Sequence, residues 1–437
     1  MRCHRTELRT ESHRNHEDGV IITLVAVFLL FVIGAMAALS IDVVTFYTAR
    51  SEAQLAADAG ALAAARVLAN SGMTSNPANA NLVLNAEALA LNIATQVATG
   101  NNVGGRLLKT SEVTVNFNVT TPTNPRVTVL AQRTDIPTFF ARIWGSTQVT
   151  VGASATAEAY NPSYSNLEIG TTIPVAPMCV KPWLLPNMDP SPGGTTIFDP
   201  TSGTPTNVGL LGFQSTSAAT RLRDACAAGN CSVAPLPAPL PWKYYPGDPA
   251  TTFPAPTQAL PTCNPTLTTP YEESVAGCIQ TPIACNGTAN IDTSNYGAAR
   301  NTETADAVNC LTHSTANQGD SVDPAFIPPP FEFLSGADNP VVQAGALAAG
   351  TDVMVSDSLV TVPVFNSTPG NPPISPVTII GFVQLFLNPD GISNSPPNMG
   401  HVNTMIINIA GCGTGAAGQP ILGNGASPVT VRLISPP

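Results

Sequence analysis

From Val20 to Ile41 the chain reads VIITLVAVFLLFVIGAMAALSI, 22 residues without a charged side chain. As an α-helix this run is ~33 Å long, enough to cross a hydrocarbon core of about 30 Å. The apolar region of a cleaved signal peptide is only about 7–15 residues, so the length favours an uncleaved span; AMAALS is the stretch that resembles a cleavage site. Arg2, Arg5, Arg9 and Arg14 precede the run and only Arg50 follows it closely. This asymmetry of positive charge is expected to keep residues 1–19 in the cytoplasm and export residues 42–437.

Helix-forming sequence continues past the span. VVTFYTARSEAQLAADAGALAAARVLANSG (43–72) is rich in Ala, Leu, Gln and Arg, and Asn70 and Gly72 give the stop. A single rod of about 50 residues is expected to start in the bilayer and project outward. Its outer half carries small residues at every fourth position, Ala53, Ala57, Ala61 and Ala65, with Ala56, Gly60 and Ala64 beside them. Such a stripe permits close approach of another helix.

Gly19 before the span, Asp42 at its exit, Tyr47, Arg50, and then Gln54, Ala56, Ala57, Asp58, Ala59, Ala61, Leu62 and Ala63 resemble the N-terminal segment of TadG-like proteins of the tight-adherence (Tad/Flp) pilus system. This chain has Ala53 where the family pattern has Leu, and Gly60 inside the Ala run; both substitutions keep the helical logic. DIPTFFARIWGSTQVTVGASATAEAY (135–160) also resembles the stretch that closes this module. The resemblance spans roughly residues 19–160. It implies a bacterial inner-membrane protein, single-pass with a cytoplasmic N-terminus, whose exported part faces pilus or envelope proteins. Gly19, Asp42, Tyr47, Arg50, Gln54, Ala57, Asp58 and Ala61 are the signature and helix-packing residues it singles out.

Beyond the rod, ANLVLNAEALALNIATQVA (80–98) places Leu82, Ala86, Leu89, Ile93 and Val97 on one helical face. The period then becomes two. Val113, Val115, Phe117 and Val119 alternate with polar residues, as do Val127, Val129 and Ala131, and TTPTNP lies between. Pro137 is expected to open a short apolar helix, TFFARIWG, before a long strand with Val149, Val151, Ala153, Ala155, Ala157 and Ala159 on one side. Residues 80–160 thus read as α-β-β-α-β, a sheet with helices on one face.

Composition changes near residue 161. Of the 42 Pro, only Pro77, Pro122, Pro125 and Pro137 precede it, so helices are expected to be nearly excluded afterwards and strands confined to short or edge pieces. Strands are expected at 360–365, 376–388, 402–411 and 429–435, with polyproline-like chain over about 232–272. Nine Cys are present. Cys3 lies in the tail. The other eight, Cys179, Cys226, Cys231, Cys263, Cys278, Cys285, Cys310 and Cys412, suit four disulfides in an exported domain. Short spacing makes Cys226–Cys231 and Cys278–Cys285 plausible pairs among 105 possible pairings.

Signals for chemistry are sparse. Only His313 and His401 lie beyond the tail, and neither has a zinc or triad-type spacing. GCGTGAAG (411–418) resembles a phosphate loop in composition alone. Asp292, Ser294, Gly297 and Glu303 fall at calcium-loop spacing, but Tyr296 takes a ligand position. Some TadG-like proteins carry a metal motif D-x-S-x-S; here Met354 replaces its first Ser in the run from Asp352 to Ser356. Net charge is −11 with three Lys, Lys109, Lys181 and Lys243, which argues against nucleic acid as a partner.

The sequence therefore predicts an α+β protein in five parts: a tail (1–19), a transmembrane helix (20–41), an exported helical segment (42–100), a small α/β module (101–160) and a Pro-rich, β-rich, disulfide-bonded domain (161–437). Neither catalytic residues, nor a cofactor or metal, nor a small-molecule substrate is expected. The partners are the inner membrane and Tad/Flp or envelope proteins, and the role is structural, in pilus assembly or its secretion apparatus. A minor pseudopilin is a second reading, weakened by Leu24 where prepilin processing favours Glu. An exported surface-binding protein or adhesin is the third.

Overall fold

A computed structural model of the chain describes residues 17–164, 175–190, 196–215, 220–226, 242–260, 263, 265–294, 297–314, 319–326, 329–367, 375–392, 399–413, 419–421 and 425–434. The expected rod is one helix, α1 (Glu17–Asn70), 54 residues long. Thirteen of the large apolar side chains between Val20 and Ile41 are exposed by more than half of their surface. A surface of that kind is unfavourable in water and suits a hydrocarbon environment. The second helix, α2 (Ala80–Thr99), follows a short turn.

The described residues form two units: 17–57, 98–114 and 130–154 in the first, and 58–97, 115–129 and 155–434 in the second. The division falls within α1 and within strands β1 (Val113–Asn118), β2 (Arg126–Pro137) and β3 (Gln148–Tyr160). TFFARIWG contributes only a four-residue 3-10 turn, Ala141–Trp144, because Gly145 at φ 89° ends it.

The first unit holds the exposed part of α1, the β2–β3 hairpin tip and a charged cluster. Arg106 pairs with Glu112 and Asp135, each at 2.6 Å, and Arg133 reaches Asp135 at 2.7 Å. The Arg106 bond lowers the Glu112 pKa to about 2; Arg133 and then Arg106 do the same for Asp135.

The second unit carries the main core. Strands β4 (Trp183–Pro186), β5 (Gln214–Ser215), β6 (Arg223–Asp224), β7 (Lys243–Pro246), β8 (Leu359–Phe365), β9 (Val377–Ile392) and β10 (Val402–Gly411) form a sheet in the order β5-β10-β9-β8-β4-β7-β6, with Thr288–Ala289 added to β9. The centre is antiparallel, while β8/β4 and β7/β6 are parallel. All seven residues of β8 are buried. A strand covered on both faces reads as an apolar run without polar alternation. One side packs Trp183, Tyr244, Val362, Leu385 and Ile406 against helices α3 (Pro270–Ala276) and α4 (Ala298–Leu311); the other packs Phe253, Ile279, Phe365 and Phe382.

Three expectations need correction. The sheet over 113–160 is completed by a strand from the chain's far end, β11 (Thr430–Ile434), antiparallel to β3 with Thr430 opposite Tyr160. A local reading of 80–160 had no means to place it. Cys278–Cys285 does not form either. Cys278 bonds Cys179, Cys285 bonds Cys412, and Cys263 bonds Cys310. Backbone pairing decides this: Cys179 N–H donates to Ile279 at 2.9 Å, while Asn286 and Cys412 donate to Ile379 and Ile380 of β9. Cys226 is disulfide-bonded too; the expected link to Cys231 falls outside the described residues, as do residues 1–16, all of 232–241 and most of GCGTGAAG. The rest of the stretch expected to be polyproline-like, up to about 272, is not uniformly so: it holds strand β7 and the first residues of α3.

Candidate functional site: two grips on the long helix

The signature residues lie along α1, and what holds that helix defines the site. In the first unit, Asp42 stands one residue past the uncharged run, and its residue is 1% exposed. Its carboxylate accepts three consecutive backbone N–H bonds, from Phe139 at 2.9 Å, Phe140 at 3.0 Å and Ala141 at 2.7 Å. These donors open the 3-10 turn at the β2–β3 hairpin tip, where backbone N–H groups lack internal partners. Burial alone would raise the Asp42 pKa; the three N–H donors outweigh it and hold the carboxyl below its usual value. The tip is closed behind by Thr138, whose N–H and hydroxyl reach the Thr147 and Ser146 carbonyls. Two further grips follow along the helix. Glu52 accepts the Gly104 N–H at 2.6 Å, and Gln54 donates to the Ser154 carbonyl at 3.4 Å.

In the second unit the helix ends in a buried polar network. The last-turn carbonyls of Leu68 and Ala69 accept from Ser71 Oγ at 2.9 Å and from Asn408 Nδ2. Asn408 also donates to Gln384 Oε1 at 2.6 Å, and Gln384 Nε2 donates to Asn70 Oδ1 at 3.0 Å. Ser75 Oγ reaches the Ile409 carbonyl at 2.9 Å, which also receives Asn161 Nδ2 at 3.1 Å. Of the helix carbonyls that would be orphans, that of Leu68 is thus satisfied by Ser71 and that of Ala69 from β10, while Gln384 of β9 holds the Asn70 side chain.

The alanines of the stripe are buried within each unit: Ala53 and Ala57 in the first, Ala61 and Ala65 in the second, are all 0% exposed. Small side chains allow such close packing. Asp58 is half-buried, whereas Tyr47 at 73% and Arg50 are exposed. Gly19 lies in the first turns of α1.

The residues weighed for chemistry sit elsewhere, in the second unit. Asp292 of the calcium-spaced string is taken by the buried Arg300 at 2.6 Å, which also lies 4.3 Å over the Tyr271 ring. His313 lies 3.5 Å from Asp357 and 3.7 Å from Asp338, and the Asp357 interaction raises its pKa. Lys181 is buried, donates to the Gly277 carbonyl at 2.9 Å, and has its pKa lowered to about 8 by burial. Among the described residues no group of three or more His, Cys, Asp or Glu is arranged to hold a metal.

Residues 19–67 match the protein-family model described as "Putative Flp pilus-assembly TadE/G-like". This part of the chain is similar to TadE/G-like proteins. The match begins beside the uncharged run and ends in the last turn of α1. It therefore contains Asp42 and the alanine stripe, and it stops before the residues that grip the helix from β9 and β10. No curated protein and no solved structure matches the chain.

The TadE/G-like segment reads clearly in sequence because its residues are contiguous. Its partners do not. Phe139, Phe140 and Ala141 serve Asp42 through backbone N–H groups, which any residue except Pro supplies. Gln384 and Asn408 carried a usable signal: each is a lone amide inside an apolar strand, in GFVQLFL and MIINIAG. Buried amides require partners.

Proposed function

We propose that the protein is a membrane-anchored, non-catalytic component of Flp pilus assembly, fixed in the bacterial inner membrane by Val20–Ile41 with residues 42–437 on the outer side. The TadE/G-like match over residues 19–67 carries this reading. The helix supports it: one continuous element joins an exposed apolar run to an end locked by the Asn70–Gln384–Asn408 network. Such an element tethers the exported domain to the span. The partners are other pilus-assembly or envelope proteins. Three disulfides, each closing a loop of 47 or more residues, suit an oxidising compartment.

Crosslinking in the native host tests the assignment. The tagged full-length chain, crosslinked in intact cells and purified from membranes, should carry Flp pilus-assembly proteins with it. Recovery in membranes without any enrichment of those proteins over an unrelated single-span protein would overturn it.

A further inference from the structure

Asp42 ties the tip of the β2–β3 hairpin to the point where α1 leaves the uncharged run, and the tip is apolar and basic. Within TFFARIWGST (138–147) there is no acidic residue, although the chain as a whole has net charge −11. Phe139 is 61% exposed and Arg142 is exposed. On the helix beside it, Val43 and Val44 are 40% and 64% exposed. Four large or basic side chains are thus presented to the surroundings at a level where a water-soluble surface has no use for them.

Height along the helix identifies the surroundings. Asp42 follows Ile41, so the clamp sits ~1.5 Å beyond the last residue of the run. The headgroup zone occupies roughly 5–8 Å outside the hydrocarbon core. Ala38, on the same helix face and ~6 Å deeper, is only 6% exposed. A carboxylate at this depth is expensive unless its oxygens are satisfied and shielded, and Asp42 has three N–H donors and almost no exposure. Aromatic rings and Arg are the side chains favoured at the headgroup level, where rings meet acyl chains and guanidinium meets lipid phosphate.

We infer that the 138–147 hairpin tip is a second membrane contact: it lies in the outer headgroup layer, with Phe139 against acyl chains and Arg142 toward phosphates, and Asp42 is the positioning residue that holds it there. The chain then meets the bilayer at two points, the span and the tip, which restricts tilt and rotation of the rod. This rests on the proposed spanning role of Val20–Ile41.

Depth measurement by spin labelling tests it. The full-length chain with Cys3→Ser is reconstituted in phosphatidylethanolamine/phosphatidylglycerol vesicles and labelled separately at Leu30→Cys, Thr134→Cys and Phe139→Cys. Collision with oxygen, which partitions into lipid, is compared with collision with a water-soluble nickel chelate. The Leu30 label should meet oxygen and exclude nickel, the Thr134 label the reverse, and the Phe139 label should be lipid-exposed near the headgroups. Asp42→Ala should move the Phe139 label toward water while leaving the Leu30 label unchanged. A nickel-accessible Phe139 label with a lipid-exposed Leu30 label would refute the tip contact alone. A label at Phe139 shielded from both reagents would also refute it, showing protein rather than lipid over the tip. A nickel-accessible Leu30 label would instead remove the spanning role on which the inference rests.

Discussion

Replacing Asn408 by Ala removes the side chain that caps the last turn of α1 from β10. Asn408 is fully buried; it donates to the Ala69 carbonyl and to Gln384 Oε1, and stands 3.2 Å from Ser75 Oγ. These groups are buried, and each buried polar group left unsatisfied costs about 1–3 kcal/mol. Two principal groups lose their donor, so the variant should lose about 2–6 kcal/mol. For a unit of more than 300 residues that corresponds to roughly 3–9 °C in Tm. The assay is thermal unfolding of the full-length chain in detergent, followed by near-UV circular dichroism, with wild type and Asn118→Ala as references. Asn118 is exposed on β1 and should leave Tm within about 1–2 °C. An Asn408→Ala protein that melts with the Asn118→Ala reference would refute the view that this network locks the helix end.

Three further outcomes follow from the same geometry. Ala61→Leu forces a large side chain into a 0% exposed position and should cost about 1–3 kcal/mol in unfolding experiments, whereas Leu55→Ala, at a site 63% exposed, should be nearly neutral; equal stability of the two variants would contradict the covered stripe. Non-reducing peptide mapping should recover Cys179–Cys278, Cys263–Cys310 and Cys285–Cys412 and no Cys278–Cys285 peptide, and Cys285→Ser with Cys412→Ser should cost about 2–5 kcal/mol. His401 has its pKa lowered to about 4, by burial first and then by Arg223 and Arg221. Between that value and about 6.5 the unfolded chain binds a proton that the folded chain does not, so stability should fall as pH drops through this window, by up to about 3 kcal/mol; His401→Gln should flatten that limb, and an unchanged pH profile would contradict the buried neutral imidazole.

What the sequence made legible was local. The uncharged run, the Ala-rich continuation and the stop near Asn70 define α1 because each residue's helical role depends on neighbours within a turn or two. Strands β8, β9 and β10 read from their apolar runs for the same reason. The hidden features are long-range. β11 reaches β3 across some 270 residues of chain, the Cys285–Cys412 link spans 127, and Asn408 meets Ala69 across 339. Periodicity carries no information on such pairings. The alanine stripe shows the limit best. Small side chains at i and i+4 announce close packing, but the residue types are the same whether the covering surface belongs to this chain or to another.

The central claim is a structural role in Flp pilus assembly that depends on the anchor, and one measurement addresses it. In the native host, the coding sequence is deleted, and pilin in the fraction sheared from the cell surface is quantified by immunoblot, against total cell pilin. The deletion should strip pilin from the sheared fraction while total pilin persists. The full chain should restore it, and a version with residues 1–41 exchanged for a cleavable signal peptide should not, despite accumulating in the periplasm. Sheared pilin at wild-type level in the deletion strain, or full restoration by the unanchored version, would contradict the account.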